Sequence, residues 1–349
     1  MKSSDLEGAE IVRRGIASGG NWVIDHVKII DHWPSEETLA AIGAESLGTG
    51  GAPYNVLVNL AKLAPDLPLE AVGLVGEDAD GERILEDCRR FKINPIGLHK
   101  SSVAGTSYTD VMTVRSTGRR TFFHYRGAND HLEPAHFPIA DLKAKIFHLG
   151  YISLLEKLDA PDPETGIVAA RVLRDLRAAG LRVSVDAVSV PCDEFAARIR
   201  AVLPHTDYLL LNELEAGWAT GLELRGAGGI PSAKNVEKAA KNLLAGGVHQ
   251  LVCIHFPEGA FAIARTGVKN FQPSLQLPDG YIKGSVGAGD AFVAGMLYGL
   301  HEDWTLSECL RLATAAAAVN LGDATSTGRM FSVAETLQTT SQFPFRKII

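Results

Sequence analysis

Short apolar runs punctuate the chain, and between them apolar residues recur every three or four positions. The rhythm is clearest after Lys145. Ile146-Phe147-His148-Leu149-Gly150 predicts a strand, and residues 166–179 predict a helix closed by Gly180. Residues 181–186 read as the next strand and Phe195–Val202 as a helix. Tyr208-Leu209-Leu210-Leu211 is again a strand, 236–245 a helix and 251–254 a strand. Continuous apolar strands alternating with amphipathic helices predict a mainly parallel sheet covered on both faces. Ligands of such sheets collect beyond the carboxyl ends of the strands, where Asp186 and Asn212 fall.

The first part of the chain is less regular. Residues 15–20 are small enough for a buried strand, and 21–30 continue as an extended, partly alternating piece. A strand is predicted over Leu69–Gly76, then a helix over 79–91 with Ile84, Leu85 and Cys88 on one face. Residues 107–115 alternate, with Tyr108, Met112 and Val114 on one parity. A turn at 116–119 and a returning strand at Arg120–Tyr125 complete a hairpin. This hairpin breaks the βα rhythm, so residues of about 105–126, with about 21–44, are expected to form a small separate sheet. An alanine-rich helix over 306–321 ends the pattern, and Thr305 and Glu308 have capping-box spacing at its start. No repeat or linker divides residues 1–349, which read as one domain.

Two glycine-rich turns feed predicted helices. Gly284-Ser285-Val286-Gly287-Ala288-Gly289-Asp290 runs into a small, apolar helical stretch. Free N–H groups in a helix's first turn, together with its dipole, favour an anion. Asp290 beside that cradle would repel phosphate unless it had chemistry to do, which points to a base working next to an anion hole. The plain alternative is an aspartate capping a helix. Gly48 to Asn55 is the second cluster, with Pro53 suited to a first helical turn and Val56, Leu57, Leu60 and Leu63 following at helical spacing.

Composition narrows the classes. With 349 residues, 46% of them hydrophobic, the chain can bury a large core, and a net charge of -7 argues against a nucleic-acid partner. Its four cysteines form no CxxC pair, which fits a reducing, cytoplasmic setting without disulfides or zinc. The eleven histidines include no HExxH. Residues 1–20 show no apolar core of the signal-peptide kind, and no run of about 20 apolar residues is present to span a membrane.

The order and separation of these motifs resemble the PfkB (ribokinase-like) family of carbohydrate kinases. The likeness covers roughly residues 16–328. Gly50-Gly51-Ala52-Pro53-Tyr54-Asn55 is similar to the family's N-terminal signature, and 284–290 to its C-terminal one. Asn212-Glu213-Leu214-Glu215 matches an Asn-x-x-Glu motif between them. The resemblance implies a three-layer α/β/α sandwich with a mainly parallel sheet and a small β-sheet lid. It implies ATP and Mg2+ as cofactors, with Asp290 as catalytic base and the backbone of Gly287, Ala288 and Gly289 as anion hole. Asn212 and Glu215 would organise the metal and nucleotide phosphates. Asp25, Gly50, Gly51 and Asn55 would hold sugar hydroxyls, and Asn320 would lie beside the nucleotide base. Where many members carry Asp-Thr, to help hold a monovalent cation, this chain has Gly284-Ser285, so K+ does not carry over. A Thr-x-Gly nucleotide contact is also missing after 251–254, where only Gly259 matches.

Residues 122–130 resemble the segment of fructokinases and 2-keto-3-deoxygluconate kinases in which an aromatic-Arg pair follows the lid strand. Arg126 could bind a sugar carboxylate, ketose oxygens or a phosphate through its planar fork, or simply pair with an acid to fix its loop. The acceptor read from this is a ketose or keto-sugar acid. A nucleoside kinase, with Trp22 or Phe123 stacking a base, is the alternative, as is a sugar-responsive binding protein without turnover. A homodimer through the lid is expected, because a small exposed sheet leaves apolar surface and free edges.

Overall fold

Because both faces of most strands are covered, their residues alternate between two hydrophobic cores. In Tyr208–Asn212, for example, Leu209 and Leu211 join one core while Tyr208 and Leu210 join the other. The computed structural model describes residues 13–347. The two ends of the expected 1–349 unit, and the first twelve residues of the segment read as lacking a signal sequence, lie outside the described residues.

In chain order the strands are β1 (Ile16–Gly20), β2 (Val23–Ile30), β3 (Ile42–Gly50), β4 (Leu69–Gly76), β5 (Ile93–Ser101), β6 (Tyr108–Val114), β7 (Arg120–Tyr125) and β8 (Ile146–Ile152). Then come the two-residue β9 (Pro161–Asp162) and β10 (Gly166–Ile167), followed by β11 (Arg182–Ala187), β12 (Tyr208–Asn212), β13 (Leu251–Phe256), β14 (Gly259–Ala264) and β15 (Lys269–Pro273). Nine of them form the central sheet in the order β15-β14-β13-β12-β11-β8-β1-β4-β5. Its members from β13 to β5 run parallel, and β14 and β15 return antiparallel at one edge. Helices Val168–Ala178, Phe195–Val202 and Ala233–Ala245 cover one face. Helices Ala52–Leu63, Ala288–His301 and Leu306–Asn320 cover the other. The result is a three-layer α/β/α sandwich with an added small sheet.

Helices Ala288–His301 and Leu306–Asn320 approach closely through small residues. A Cβ on Gly295 would lie 2.7 Å from the Ala313 Cα, and one on Gly299 would lie 2.7 Å from the Cys309 sulfur. Glycine therefore permits the contact that seats the first of these helices, and with it Asp290. Thr305 and Glu308 form the capping box predicted for the second helix.

The small sheet has the order β3-β2-β6-β7. β2 pairs in parallel with β6, and the two outer pairs are antiparallel. β3 runs to Gly50, so the first segment of this sheet continues past residue 44 as far as the glycine turn itself. Its root is firmly held. The buried Asn129 side chain accepts from the Trp22 N–H and donates to the Trp22 carbonyl, and the Trp22 indole N–H donates to the Val72 carbonyl. One face of the sheet carries exposed apolar side chains, among them Leu47, Phe123 and Tyr125, while Phe122 points to the opposite face. Trp33 stacks on Phe123 with ring centroids 6.1 Å apart. Among the described residues, no helix is long and apolar enough to cross a membrane.

Candidate active site

Helix Ala288–His301 starts immediately after Gly287, whose φ of 77° lies in the left-handed region. A Cβ there would come within 2.6 Å of the Ser326 carbonyl oxygen, so only glycine fits. Asp290 occupies the first turn and is only 4% exposed. Asn55, 235 residues earlier in the chain, donates its side-chain N–H to Asp290 Oδ2 at 2.7 Å. The two glycine turns therefore meet directly.

A third residue joins them. Tyr151, in β8, places its phenol oxygen 3.2 Å from both carboxylate oxygens of Asp290. The backbone of Tyr151 has a φ of 65°, unusual for a bulky residue and worth about 1–3 kcal/mol of strain. Two neighbours hold it there. Asp186 Oδ1, in β11, accepts from the Tyr151 N–H at 2.8 Å, and the Asn21 side chain donates to the Tyr151 carbonyl at 3.5 Å. Asp186 also lies 3.4 Å from the buried His148, whose other ring nitrogen meets Ser184 Oγ at 3.1 Å.

Burial pushes the Asp290 carboxyl up to about 7 and the nearby Asp186 charge adds to the rise, while the Asn55 and Tyr151 hydrogen bonds oppose it. His255, in β13, is pushed down to about 4 by burial, so it is neutral near pH 7. Its ring packs 5.0 Å from Phe292, and a Cβ on Gly289 would lie 3.5 Å from it.

On the Asn55 side of this contact, Gly51 begins helix Ala52–Leu63 with a φ of 88°. A Cβ there would lie 1.9 Å from the Asn21 carbonyl oxygen, so the chain crossing at the root of the small sheet requires glycine. A Cβ on Gly50 would come within 2.6 Å of Asp25 Oδ2. Asp25, Gly50, Gly51 and Asn55 are thus neighbours. Burial raises the Asp25 carboxyl to about 6, against the attraction of His26 and Arg120. Among the described residues, the buried Asn55 Oδ1 has no hydrogen-bond partner. Between the β6–β7 hairpin and the loop before helix Ala288–His301 lies an open cleft of about 450 Å3, lined by Arg120, Phe122, Lys283 and Ser285 among others. That is within the range of small-molecule sites.

Asn212 and Glu215 form a second cluster. Asn212 caps helix Glu213–Thr220, its side-chain oxygen accepting from the N–H groups of Leu214 and Glu215. Its amide N–H groups donate to Ser189 Oγ and Glu215 Oε1, each at 2.7 Å. Glu215 is pushed up to about 8 by burial, with Asp186 and Glu213 adding to the rise. The local surplus of negative charge is what a bound cation would relieve. Among the described residues, no group of three His, Cys, Asp or Glu gathers to ligate a metal directly.

Three other residues singled out from the sequence make no side-chain hydrogen bond to Asp290. Arg126 pairs with Glu156 at 3.1 Å and Asp130 at 3.7 Å, and no hydrogen bond joins it to Asp25, Asn55 or Asp290. Gly259 opens β14, where a Cβ would meet the Gln272 carbonyl oxygen at 2.5 Å, so packing alone accounts for glycine. Asn320 is fully buried and donates to the Ser326 carbonyl at 2.6 Å. It thereby braces the residue against which Gly287 packs.

The profile of the pfkB family carbohydrate kinases matches residues 18–329, most of the chain. The chain belongs to this family. As a pfkB protein it is a carbohydrate kinase. It is 28% identical over 320 residues to fructokinase-2 of Oryza sativa subsp. japonica, covering 87% of each chain. It is 30% identical over 290 residues to the 1-phosphofructokinase of Xanthomonas campestris pv. campestris, covering 79% of this chain and 81% of that one. Among solved structures, ribokinase from Giardia lamblia superposes with a TM-score of 0.76 at 20% identity, covering 95% of this chain and 99% of that one. Arabidopsis thaliana ribokinase, solved with ribose and ATP, gives 0.75 at 21%, covering 93% and 99%. At these identities the structural likeness establishes the ribokinase-like fold.

Sequence reading missed Tyr151, His148, Ser189 and His255 as members of this pfkB site. The usable signal for Tyr151 was its position just past the end of an apolar strand, where ligands of parallel sheets gather.

Proposed function

We propose that this pfkB kinase transfers the γ-phosphoryl group of ATP to a hydroxyl of a ketose or keto-sugar acid. One observation carries the reading: a buried carboxylate in the first turn of a glycine-led helix is hydrogen-bonded to an asparagine of the opposite glycine turn. Asp290 takes the acceptor hydroxyl's proton. The oxygen forms a bond to the γ-phosphorus while the bond to the ADP oxygen breaks, and the N–H groups of residues 287–289 receive the phosphoryl oxygens. Asp25, Gly50, Gly51 and the unpartnered Asn55 oxygen hold sugar hydroxyls. Asn212 and Glu215 would hold Mg2+ through water, as suits a cation that dehydrates reluctantly, and the metal would supply charge neutralisation for the phosphates. Asn320 and Gly259 border the nucleotide, the first by bracing the 326–287 contact. The small sheet serves as the lid that excludes water. The fructokinase relatives and the ATP-bound neighbour support this choice of acceptor and donor.

A panel of acceptors assayed for ADP release with Mg2+ tests it. Turnover is expected on fructose or 2-keto-3-deoxygluconate, and weak turnover on adenosine and inosine. Turnover restricted to nucleosides would replace the acceptor class, and none on any acceptor would leave the binding-protein reading. Arg126, held by two acids, is expected to matter most for a carboxylate acceptor. Its replacement by alanine should raise KM for the keto-sugar acid more than for fructose.

The exposed apolar face of the small sheet also supports self-association through the lid. A homodimer is the expected mass in light scattering at micromolar concentration; a monomer there refutes it. All four cysteines are free, as a reducing compartment would keep them, and we place the protein in the cytoplasm.

A further inference from the structure

We propose that Tyr151 is a positioning residue for the base, its phenol locking the Asp290 carboxylate so that one lone pair of Oδ1 remains for the acceptor hydroxyl. The inference rests on Asp290 being that base. An ionised carboxylate offers about four acceptor sites, two on each oxygen. Oδ2 receives Asn55 at 2.7 Å and Tyr151 at 3.2 Å. Among the described residues, Oδ1 receives only Tyr151, also at 3.2 Å. Two donors from different elements stop the carboxylate from rotating, and the remaining site on Oδ1 is the one that can take a proton.

The backbone of Tyr151 shows what maintains this arrangement. Its left-handed conformation is unfavourable for a tyrosine and is held by Asp186 at its N–H and Asn21 at its carbonyl. Asn21 also lies at the root of the small sheet, its own carbonyl against Gly51. The phenol is thus aimed by groups on both sides of the cleft.

The same contact bears on the charge of the base. Asp290 is faced by Tyr151 from β8, Asp186 from β11 and the uncharged Asn55 from helix Ala52–Leu63; His255 from β13 lies beside the adjacent Gly289, and Glu215 is near enough to Asp186 to feel its charge. Burial and Asp186 disfavour the ionised form, so the two donors are what keep it accessible near neutrality. Tyr151 itself is held protonated, its phenol pushed well above its usual range by burial and by the surrounding carboxylates. It therefore donates and does not compete for the proton.

The test is the pH profile of kcat for Tyr151→Phe on the best acceptor. The variant keeps the ring and removes the donor. Its acid limb is expected to move up by about one pH unit, with the sugar KM little changed. An unmoved limb, or a uniform fall in turnover at every pH, overturns the inference, because loss of packing alone would give the latter. Should Tyr151→Phe fail to fold, 3-fluorotyrosine at position 151 preserves the shape and strengthens the donor. The limb then moves to lower pH, and no movement overturns the inference. Asp290→Asn is run alongside. If it retains wild-type turnover, the assignment of the base fails. If it is inactive while the Tyr151 profiles stay put, only the role of Tyr151 fails.

Discussion

Asp290→Asn is expected to lower kcat by about 10²- to 10⁴-fold and, above neutral pH, to make the protein harder to unfold. Both effects come from one buried carboxyl. The amide cannot accept the acceptor's proton, so turnover falls while sugar and nucleotide binding persist. The stability effect follows from proton linkage. The carboxyl's folded value of about 7 lies above its ordinary value of 3.8, so the folded state favours the protonated form. That stabilisation is complete below about pH 4 and is lost as pH rises through about 7. At higher pH the wild type holds a charge in a site that disfavours it, and the neutral amide does not. The asparagine oxygen can still accept from both Asn55 and Tyr151. At about 1.4 kcal/mol per pH unit, partly offset by relaxation, the variant should gain about 1–3 kcal/mol at pH 8.5. The gain should vanish towards pH 4. Denaturant titrations at several pH values measure it, and equal stability of the two proteins at pH 8.5 would contradict the burial argument. Wild-type turnover should correspondingly rise with pH through about 7 as Asp290 ionises.

Gly287→Ala is expected to damage both fold and catalysis. A left-handed alanine costs about 1–2 kcal/mol, and the added methyl would lie 2.6–2.7 Å from the backbone and Cβ of Ser326. Ser326 cannot retreat easily, because Asn320 holds its carbonyl from the neighbouring helix. The turn must therefore shift, at a total cost of about 2–4 kcal/mol. A displacement of the first-turn N–H groups should reduce kcat by about 10²- to 10³-fold. Steady-state kinetics and a denaturation midpoint measure the two effects. A variant with near wild-type kcat would mean that these N–H groups do not serve the transferred phosphoryl.

The parallel sheet was legible in the sequence because its strands are apolar on both faces, as in Leu69–Gly76, which is buried throughout. Other strands hid their pattern. β3 has few buried positions and includes Gly43, Gly48 and Gly50, so neither alternation nor β propensity marks it. In β5, Asn94, Pro95 and Gly97 interrupt the apolar run. β14 and β15 depart from the βα alternation that made their neighbours readable. At the site, the glycine turns and Asp290 carry local signals, and the fold brings Asn55 to Asp290. Tyr151 carries only its position at the end of an apolar strand. Its role depends on an unusual backbone angle and on Asp186 from the next strand, which only the assembled sheet supplies.

The anchored root of the small sheet has a mechanical consequence. Trp22 is gripped through its N–H, its carbonyl and its indole, and Gly51 leaves no clearance against Asn21. A ribbon clamped at one end cannot swing as a rigid door; it flexes like a cantilever, with displacement growing toward the free tip at Gly118. On entry of a sugar, the residues near Asp25 would barely stir, while Arg120 and Phe122 would sweep the widest arc.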